Sequence, residues 1–318
     1  MIGVVLALLG LPLLLAIGES AVFYHENRSD GSFVSSGERR EYNLHVPRSY
    51  DPAKATPLVI SLHGAAMWGA GQQVTSEWDR VADANGFIVV YPTGVEGNGP
   101  RIWREEEGAG LTKDVQYIAY LIDTLRVRYN IDPKRVYANG LSNGGGMSFA
   151  LSCLLPGRIA AVGMVGAAQL LPFAWCPDHH PMPMVDFHGT ADRQVPYGGG
   201  QTWVAPVRFP NVRTFVAQWA MRNHCALTPS DSRITTDVTR RAYAHCANDA
   251  AVVLYTIQDG GHTWPGGGYM PEWFVGRTSR SIDASSLMWA FFREHRRAAP
   301  QSSAPRESGD RSFPATPE

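Results

Sequence analysis

The chain has 318 residues, of which 44% are hydrophobic and 18% are charged, the composition of an ordinary globular protein. Its 28 basic and 29 acidic side chains nearly cancel, so no global charge favours nucleic acid or an anionic membrane surface as a partner. These values exclude a strongly basic nucleic-acid binder and favour one large domain that acts on a neutral or weakly charged substrate.

The first twenty residues have the pattern of a secretory signal peptide. An uncharged apolar run covers residues 2–17, and the small residues that follow it suit a signal peptidase. No Lys or Arg precedes the run, which is also shorter than the ~20 residues that a membrane-spanning helix needs. We therefore predict a cleaved signal over residues 1–20, with a membrane anchor as the alternative, and no stable membrane insertion after cleavage.

Short apolar runs bounded by Gly, Pro or polar residues predict the strands. Residues 42–47 alternate apolar and polar side chains, as a half-buried antiparallel edge strand does. Continuous apolar runs, which predict buried strands, follow at residues 58–62, 87–91, 136–139, 160–165, 184–188 and 251–255. Apolar residues at helical spacing lie between them, and further helices are predicted at 212–223 and 282–295. This alternation predicts an α/β fold, a mostly parallel central sheet with helices on both faces.

The domain limits follow from changes in composition. Residues 21–296 are predicted to form one catalytic domain, and residues 297–318, rich in Pro, Ser, Ala, Arg and Glu, a disordered tail. Residues 196–210, rich in Gly and Pro, are predicted to form a long loop near the functional site rather than a linker between domains.

A GxSxG motif follows the predicted strand at residues 136–139. Here it reads Gly140-Leu141-Ser142-Asn143-Gly144, and a helical pattern comes next. A serine hydroxyl is a poor nucleophile until a tight turn presents it to a base, and glycines remove the Cβ atoms that would collide in that turn. The order of strand, motif and helix predicts Ser142 as a nucleophile and the backbone N–H of Asn143 as an oxyanion donor.

A second oxyanion donor is expected after an earlier strand, where the chain reads LHGAA from residue 62. The backbone N–H of Ala65 is the predicted donor, with that of Ala66 as the alternative. His63 is predicted to fix this loop by hydrogen bonds rather than to titrate during catalysis.

The acid and the base are predicted downstream. Asp192 lies in the loop after the strand at 184–188, and its rivals are Asp186, inside that strand, and Asp178, in a Pro-rich loop. His262 follows the last strand, within GGHTWPGG. The order Ser, Asp, His along the chain is the one found in α/β hydrolases, and it predicts Ser142, Asp192 and His262 as a catalytic triad.

Aromatic residues near these positions are predicted to contact the substrate. Trp264, two residues after the predicted base, is expected to wall the pocket or to stack on an aromatic acyl group. Trp103 and Trp203 lie in predicted loops and are expected to line a cleft.

The cysteines are even in number and contain no CxxC pair of the kind that zinc sites use, so disulfides are predicted and no metal site. Four cysteines permit three pairings. The pairing of sequence neighbours, Cys153 with Cys176 and Cys225 with Cys246, is favoured because each bond closes a loop of moderate length.

Five segments together resemble the secreted polyhydroxybutyrate depolymerase and feruloyl esterase family, over about residues 42–295. They are PLVISLHG from residue 57, GFIVVYPTG from 86, IDPKRVYANGLSNGG from 131, HGTADRQVPYGGG from 188 and GGHTWPGGG from 260. The resemblance implies an exported α/β hydrolase with the triad named above, no cofactor, and disulfides that flank the nucleophile helix and the histidine strand. Where the family often has paired aspartates, this chain reads Lys113-Asp114, which puts one supporting contact in doubt.

The expected activity is hydrolysis of a carboxylic ester through an acyl-enzyme, outside the cell or in the periplasm. A hydroxyalkanoate polyester or its oligomers is favoured slightly over the feruloyl esters of plant cell walls. The expected partner is thus a polyester oligomer or a feruloylated saccharide, and no nucleic acid. A non-catalytic α/β-hydrolase relative that only binds a ligand is the remote alternative, because such proteins usually lose a triad member.

Overall fold

The computed structural model describes residues 28–96, 101–176, 180–203 and 205–297. The strands in this part of the chain are β1 (Gly31–Ser35), β2 (Glu38–His45), β3 (Thr56–Leu62), β4 (Ile88–Thr93), β5 (Val95–Glu96), β6 (Arg101–Ile102), β7 (Ile131–Leu141), β8 (Ala161–Val165), β9 (Met184–Gly189), β10 (Gly200–Thr202), β11 (Ala205–Phe209), β12 (Ser230–Arg233), β13 (Val238–Tyr243) and β14 (Val252–Ile257). The α-helices are α1 (Gly69–Ser76), α2 (Trp78–Asn85), α3 (Ala109–Arg128), α4 (Asn143–Leu154), α5 (Val212–Arg222), α6 (Glu272–Val275) and α7 (Ala284–Phe292). Short 3₁₀ turns lie at Phe173–Trp175 and Ala247–Asp249.

A ten-stranded sheet runs through the molecule in the order β1-β2-β4-β3-β7-β8-β9-β14-β13-β12. The six strands from β4 to β14 in this order are parallel. Antiparallel strands extend the sheet on both sides, β1 and β2 on one and β13 and β12 on the other. Every residue of β3, β4, β8 and β9 is buried, as expected of parallel strands covered on both faces. The predicted fold class is therefore confirmed.

Successive residues of a strand point to opposite faces of the sheet. The buried strands therefore present side chains on both faces, and helices cover each face. Leu58 and Ile60 of β3 belong to a core with helices α3, α4 and α5, whereas Val59 belongs to a second core with α2 and α7. In the second core, Trp289 of α7 stacks on Phe87 with ring centroids 3.9 Å apart. The last helix thus packs against this face of the sheet.

Both disulfides predicted from the cysteine spacing are present. Cys153–Cys176 ties the end of α4 to the turn at Phe173–Trp175, and Cys225–Cys246 ties the segment after α5 to the segment after β13. Each closes a loop of just over twenty residues, with sequence separations of 23 and 21, and such bonds stabilise a fold by about 2–4 kcal/mol.

Two details of the sequence interpretation are wrong. The strand at residues 42–47 corresponds to β2, which is antiparallel as expected but does not form the edge, because β1 pairs on its outer side. The segment 196–210 is not a plain loop, since β10 and β11 pair within it as an antiparallel hairpin.

Most of both chain termini lies outside the described residues. The predicted signal at residues 1–20 and the predicted tail from residue 298 onward lie outside the described residues, so both stay predictions. Within the described ranges, no helix combines the length and the apolar character needed to cross a bilayer.

Candidate active site

Ser142 sits in a strained turn between β7 and α4. Its backbone has φ 53° and ψ −119°, a left-handed conformation that non-glycine residues seldom adopt. The surrounding backbone fixes the turn: Ser142 N–H donates to Val165 O at 2.9 Å, and Gly145 and Ala168 N–H donate to Ser142 O at 2.8 and 3.0 Å. The strain therefore persists because neighbouring segments on both sides hold this peptide in place.

The glycines of the motif allow strand and helix to approach each other. A Cβ added to Gly140 would collide with the backbone of Gly144, and one added to Gly144 would collide with Leu62 O at the end of β3. The steric role that the sequence predicts for both glycines agrees with this packing.

Asp192 and His262 form a buried hydrogen-bonded pair beyond the ends of β9 and β14. Their exposures are 5% and 4%, and His262 Nδ1 lies 2.7 Å from Asp192 Oδ2. Asp192 Oδ1 accepts from the backbone N–H groups of Gln194 and Val195 at 2.9 and 2.8 Å. The carboxylate is thus held from both sides, which orients the imidazole.

The electrostatics of the pair favour an ionised Asp192. Burial alone would raise the pKa of this carboxyl, but the charge and the hydrogen bond of His262 outweigh burial and keep the pKa below its ordinary value. An ionised Asp192 accepts the Nδ1–H of His262, so that the neutral imidazole carries its lone pair on Nε2, the nitrogen a general base uses. A Cβ on Gly166 would come within 3.1 Å of His262 Nδ1, so this glycine leaves room for the ring.

Ser142 and His262 line the same cleft, which has a volume of about 480 Å³. The loop of His262 is anchored by its own N–H, which donates to Val275 O at 2.6 Å. Because β7, β9 and β14 are parallel, Ser142, Asp192 and His262 all follow carboxyl ends at the same edge of the sheet, where open α/β sheets bind ligands.

Of the two rival acids, Asp186 does not take part in this arrangement. Asp186 lies inside β9 and is buried; its Oδ1 has no hydrogen-bond partner, and burial raises its pKa to about 6. Asp178 lies outside the described residues. In the described ranges, no group of three or more His, Cys, Asp or Glu side chains is arranged to hold a metal ion.

The backbone donors near Ser142 favour Ala65 over Ala66. The N–H of Ala66 donates to Arg101 O at 2.9 Å and is therefore engaged. Ala65 is exposed and lines the cleft beside Ser142. Asn143 is the first residue of α4, so its N–H points out of the helix without an intrahelical acceptor, at the positive end of the helix dipole.

His63 holds the loop of Ala65 in place, as predicted. Its Nδ1 lies 2.7 Å from Gly64 O, and its Nε2 accepts the N–H of Gly94 at 2.9 Å. Nδ1 must therefore carry the proton, which fixes the neutral tautomer. Complete burial lowers the pKa of His63 to about 4, so the ring stays uncharged at neutral pH.

Residues 103–105 clamp the side chain of Asn143, a contact that the sequence did not reveal. Trp103 N–H donates to Asn143 Oδ1 at 2.7 Å, and Asn143 Nδ2 donates to Trp103 O at 2.9 Å and to Glu105 Oε1. The Trp103 indole donates to His63 O at 3.1 Å. This segment thereby connects the two loops that carry the predicted oxyanion donors.

A buried ion-pair network holds the clamp from behind. Asp114 is fully buried and accepts from Arg104 N–H at 2.8 Å, and it also pairs with the guanidinium groups of Arg104 and Arg40. Lys113 reaches Glu38 at 3.1 Å. Asp114, the aspartate that this chain retains, thus supplies a supporting contact behind the clamp, whereas Lys113 pairs with Glu38 instead.

The three tryptophans occupy different environments. Trp203 is 72% exposed at the rim of the cleft and faces Phe274 with ring centroids 5.9 Å apart. Trp103 borders a second recess next to Ser142. The prediction for Trp264 is wrong: the ring is 1% exposed in the core, because its indole N–H finds a partner in Ser285 Oγ at 3.0 Å on α7.

The buried carboxyl of Glu105 leads to a pH-dependent prediction. Burial raises its pKa well above the ordinary 4.5 of a glutamate, although the hydrogen bond from Asn143 acts in the opposite direction. The folded protein therefore binds this proton more tightly than the unfolded chain, and the resulting stabilisation, complete below pH 4.5, is lost as the pH rises through the folded-state pKa.

Glu105→Gln keeps an acceptor for Asn143 without ionising. We expect the free energy of unfolding of this variant in urea, relative to that of wild type, to increase as the pH rises above 4.5, whereas a difference that does not change with pH would contradict the raised pKa.

Comparison with known proteins supports the family resemblance. Residues 41–171 match the family model described as esterase PHB depolymerase. The chain is 31% identical over 233 residues to feruloyl esterase B of Piromyces equi, covering 70% of this chain and 42% of that protein. It is 26% identical over 286 residues to poly(3-hydroxyalkanoate) depolymerase C of Paucimonas lemoignei, covering 80% of this chain and 65% of that protein. The chain thus spans less than two thirds of the length of either relative.

The solved structures agree on the fold. An acetyl xylan esterase from Aspergillus awamori superposes with a TM-score of 0.52 at 17% identity, covering 70% of this chain and 89% of that one. The chain therefore has the α/β-hydrolase fold. Within that class, the resemblance to the polyhydroxybutyrate depolymerases and feruloyl esterases is confirmed.

Proposed function

We propose that the protein is a serine esterase. The observation that carries this proposal is the buried Asp192–His262 pair, whose imidazole shares one cleft with Ser142 in its strained turn. These are the parts that acyl transfer needs: a nucleophile, a base and a residue that orients the base. The non-catalytic alternative is disfavoured, since all three side chain types are retained in this arrangement.

In the proposed mechanism, His262 Nε2 takes the proton of Ser142 Oγ as that oxygen attacks the ester carbonyl. The backbone N–H groups of Asn143 and Ala65 stabilise the oxyanion that forms. The carbon–oxygen bond to the alcohol then breaks, and His262 gives its proton to the leaving oxygen. A water molecule then gives a proton to His262 and attacks the acyl carbon; the bond between that carbon and Ser142 Oγ breaks, the acid leaves, and His262 returns the proton to Ser142 Oγ.

The favoured substrates are esters of hydroxyalkanoic acids, as oligomers or amorphous polymer. Support comes from the family match over residues 41–171 and from the cleft, which is bordered by Met67, Met270 and the rings of Trp203 and Phe274. An apolar cleft of this kind suits a chain of repeated neutral esters. Feruloyl esters are the second candidate, because feruloyl esterase B of Piromyces equi has a higher sequence identity to this chain than the depolymerase of Paucimonas lemoignei has.

The two substrate classes can be separated by one experiment. Purified enzyme is given 3-hydroxybutyrate oligomers and methyl ferulate side by side, and the released acid is quantified by chromatography. We expect kcat/KM for the oligomers to exceed that for methyl ferulate by at least about tenfold. Differences in how substrates fit an apolar pocket produce ratios of this size. A preference for methyl ferulate would shift the proposal to feruloyl ester hydrolysis, and hydrolysis of neither would count against both.

The proposed location is outside the cytoplasm. Two disulfides brace the described fold, and such bonds persist in oxidising compartments. The apolar run at residues 2–17 fits an export signal. N-terminal sequencing of the protein released from expressing cells tests this point: a start near residue 21 is expected, and retention of residue 1 would contradict cleavage.

A further inference from the structure

Ser142 lies between two recesses of different chemistry. The cleft of about 480 Å³ contains His262, whereas a second recess of about 360 Å³ lies beside Asn143. Ala65 and Ser142 line both cavities, and His262 lines only the first. The nucleophile therefore stands at the boundary of two spaces, one with the base and one without it.

The chemistry of acyl transfer assigns the two spaces. In the tetrahedral intermediate, the carbonyl carbon carries the oxygen of Ser142, the oxyanion, the leaving alcohol and the acyl substituent. The oxyanion lies at the N–H groups of Asn143 and Ala65. The leaving oxygen must be within hydrogen-bond reach of His262, which protonates it. The alcohol therefore extends into the cleft of His262, and the acyl substituent has the second recess available.

We propose that the second recess is the acyl subsite and that it selects neutral acyl groups. This inference rests on the proposed esterase function. Its wall contains the apolar side chains of Ile102, Trp103, Leu170 and Phe209. This subsite determines which acid the enzyme releases, while the cleft of His262 determines which alcohol it accepts.

The ionisable groups of the acyl subsite explain the selection of neutral acyl groups. Glu105 and Glu106 both line the recess, and Glu105 is buried with 2% exposure. Arg104 also lines it, but its guanidinium is engaged by Glu38 and Asp114 at 2.9 and 2.5 Å. An acyl group that carries a carboxylate would thus meet carboxyl groups without a free cation to pair with, and desolvating it there is costly.

The assignment can be tested with two isomeric esters of reversed orientation. Methyl phenylacetate carries its ring on the acyl side, and benzyl acetate carries the same ring on the alcohol side. Leu170→Trp fills the acyl subsite, and Met270→Trp fills the cleft of His262 as the matched control. We expect Leu170→Trp to lower kcat/KM for methyl phenylacetate by about tenfold or more while benzyl acetate changes by less than about threefold, and Met270→Trp to do the reverse.

Enlarging variants make the test independent of any folding defect. Leu170→Ala is expected to raise relative activity toward acyl groups bulkier than phenylacetyl, and Met270→Ala to do so for bulkier alcohols. The ester that a given variant still cleaves at the wild-type rate reports that the variant is folded. Reversed selectivity, or an equal loss on both esters in both tryptophan variants, would overturn the assignment.

Charge selection needs a separate pair of esters. At neutral pH, methyl hydrogen succinate is expected to be cleaved at least about tenfold more slowly than methyl butyrate, and Glu106→Gln to narrow that gap. Equal rates in the wild type would contradict the proposed selection. If the wild type cleaves neutral esters through Ser142 but the Leu170 and Met270 variants show no reciprocal pattern, the esterase function stands and only the subsite assignment fails. If no ester is cleaved, the proposed function itself fails.

Discussion

Replacement of Ser142 by alanine is expected to lower kcat/KM for a carboxylic ester by about a millionfold. The proposed nucleophile is the only atom that would bond to the acyl group, so its loss leaves only the residual acceleration from binding and from the oxyanion donors. Hydrolysis of 4-nitrophenyl butyrate measures the effect, because the released nitrophenol is visible even at very low rates.

Ser148→Ala is the matched control for this loss. Ser148 lies in the same helix, α4, and its hydroxyl donates to Gly144 O at 2.9 Å. We expect this variant to keep activity within a few-fold of wild type, with a small loss of stability from the missing hydrogen bond. Should Ser142→Ala retain most of the activity, the assignment of the nucleophile would be wrong.

Replacement of Asp192 by asparagine is expected to lower kcat by about ten thousandfold. Asparagine presents an N–H where the carboxylate accepts the proton of His262 Nδ1, so the imidazole is stabilised in the wrong tautomer and loses the partner of its positive charge. The same nitrophenyl assay measures the effect. Because the change is in the chemical step, kcat is expected to fall far more than KM rises.

Asp186→Asn provides the control from the strand that precedes Asp192 in the chain. Asp186 is buried inside β9, and none of its hydrogen bonds in the described structure joins it to His262. Burial raises its pKa from 3.8 to about 6, so its stabilising protonation is complete below pH 3.8 and lost as the pH rises through 6. We expect the variant to remain active and to be at least as stable as wild type at about pH 8 in urea unfolding. A loss of activity as large as that of Asp192→Asn would contradict the assignment of Asp192 as the acid of the triad.

Much of the fold could be predicted because its signals are local. The central strands are continuous apolar runs that need no knowledge of their neighbours, and the glycines at 140 and 144 report the tight turn around Ser142 directly. The hairpin of β12 and β13 could not be predicted because β12 carries no such local signal. All residues of Ser230–Arg233 are exposed, so that strand lacks the alternation that marks a half-buried one.

The supporting residues of the site could not be predicted because their partners are distant in the chain. Glu105 and Trp103 contact Asn143 across about forty positions, and nothing in the sequence around Arg104 distinguishes a buried carboxyl from a solvated one. Trp264 was misassigned for a similar reason: its position next to His262 suggested the pocket, but the partner of its indole lies on α7. Spacing along the chain places loops at the sheet edge and leaves open which way each side chain points.

The central claim, that Ser142 is an activated nucleophile in an esterase site, is tested most directly by covalent labelling. A fluorophosphonate is incubated with the purified protein, and the mass of the intact chain and of its peptides is measured. One equivalent of label is expected on the peptide that contains Ser142, with none on Ser142→Ala and slow labelling of Asp192→Asn, whose base is misoriented. An unlabelled wild-type protein, or a label on another residue that persists in Ser142→Ala, would contradict the account.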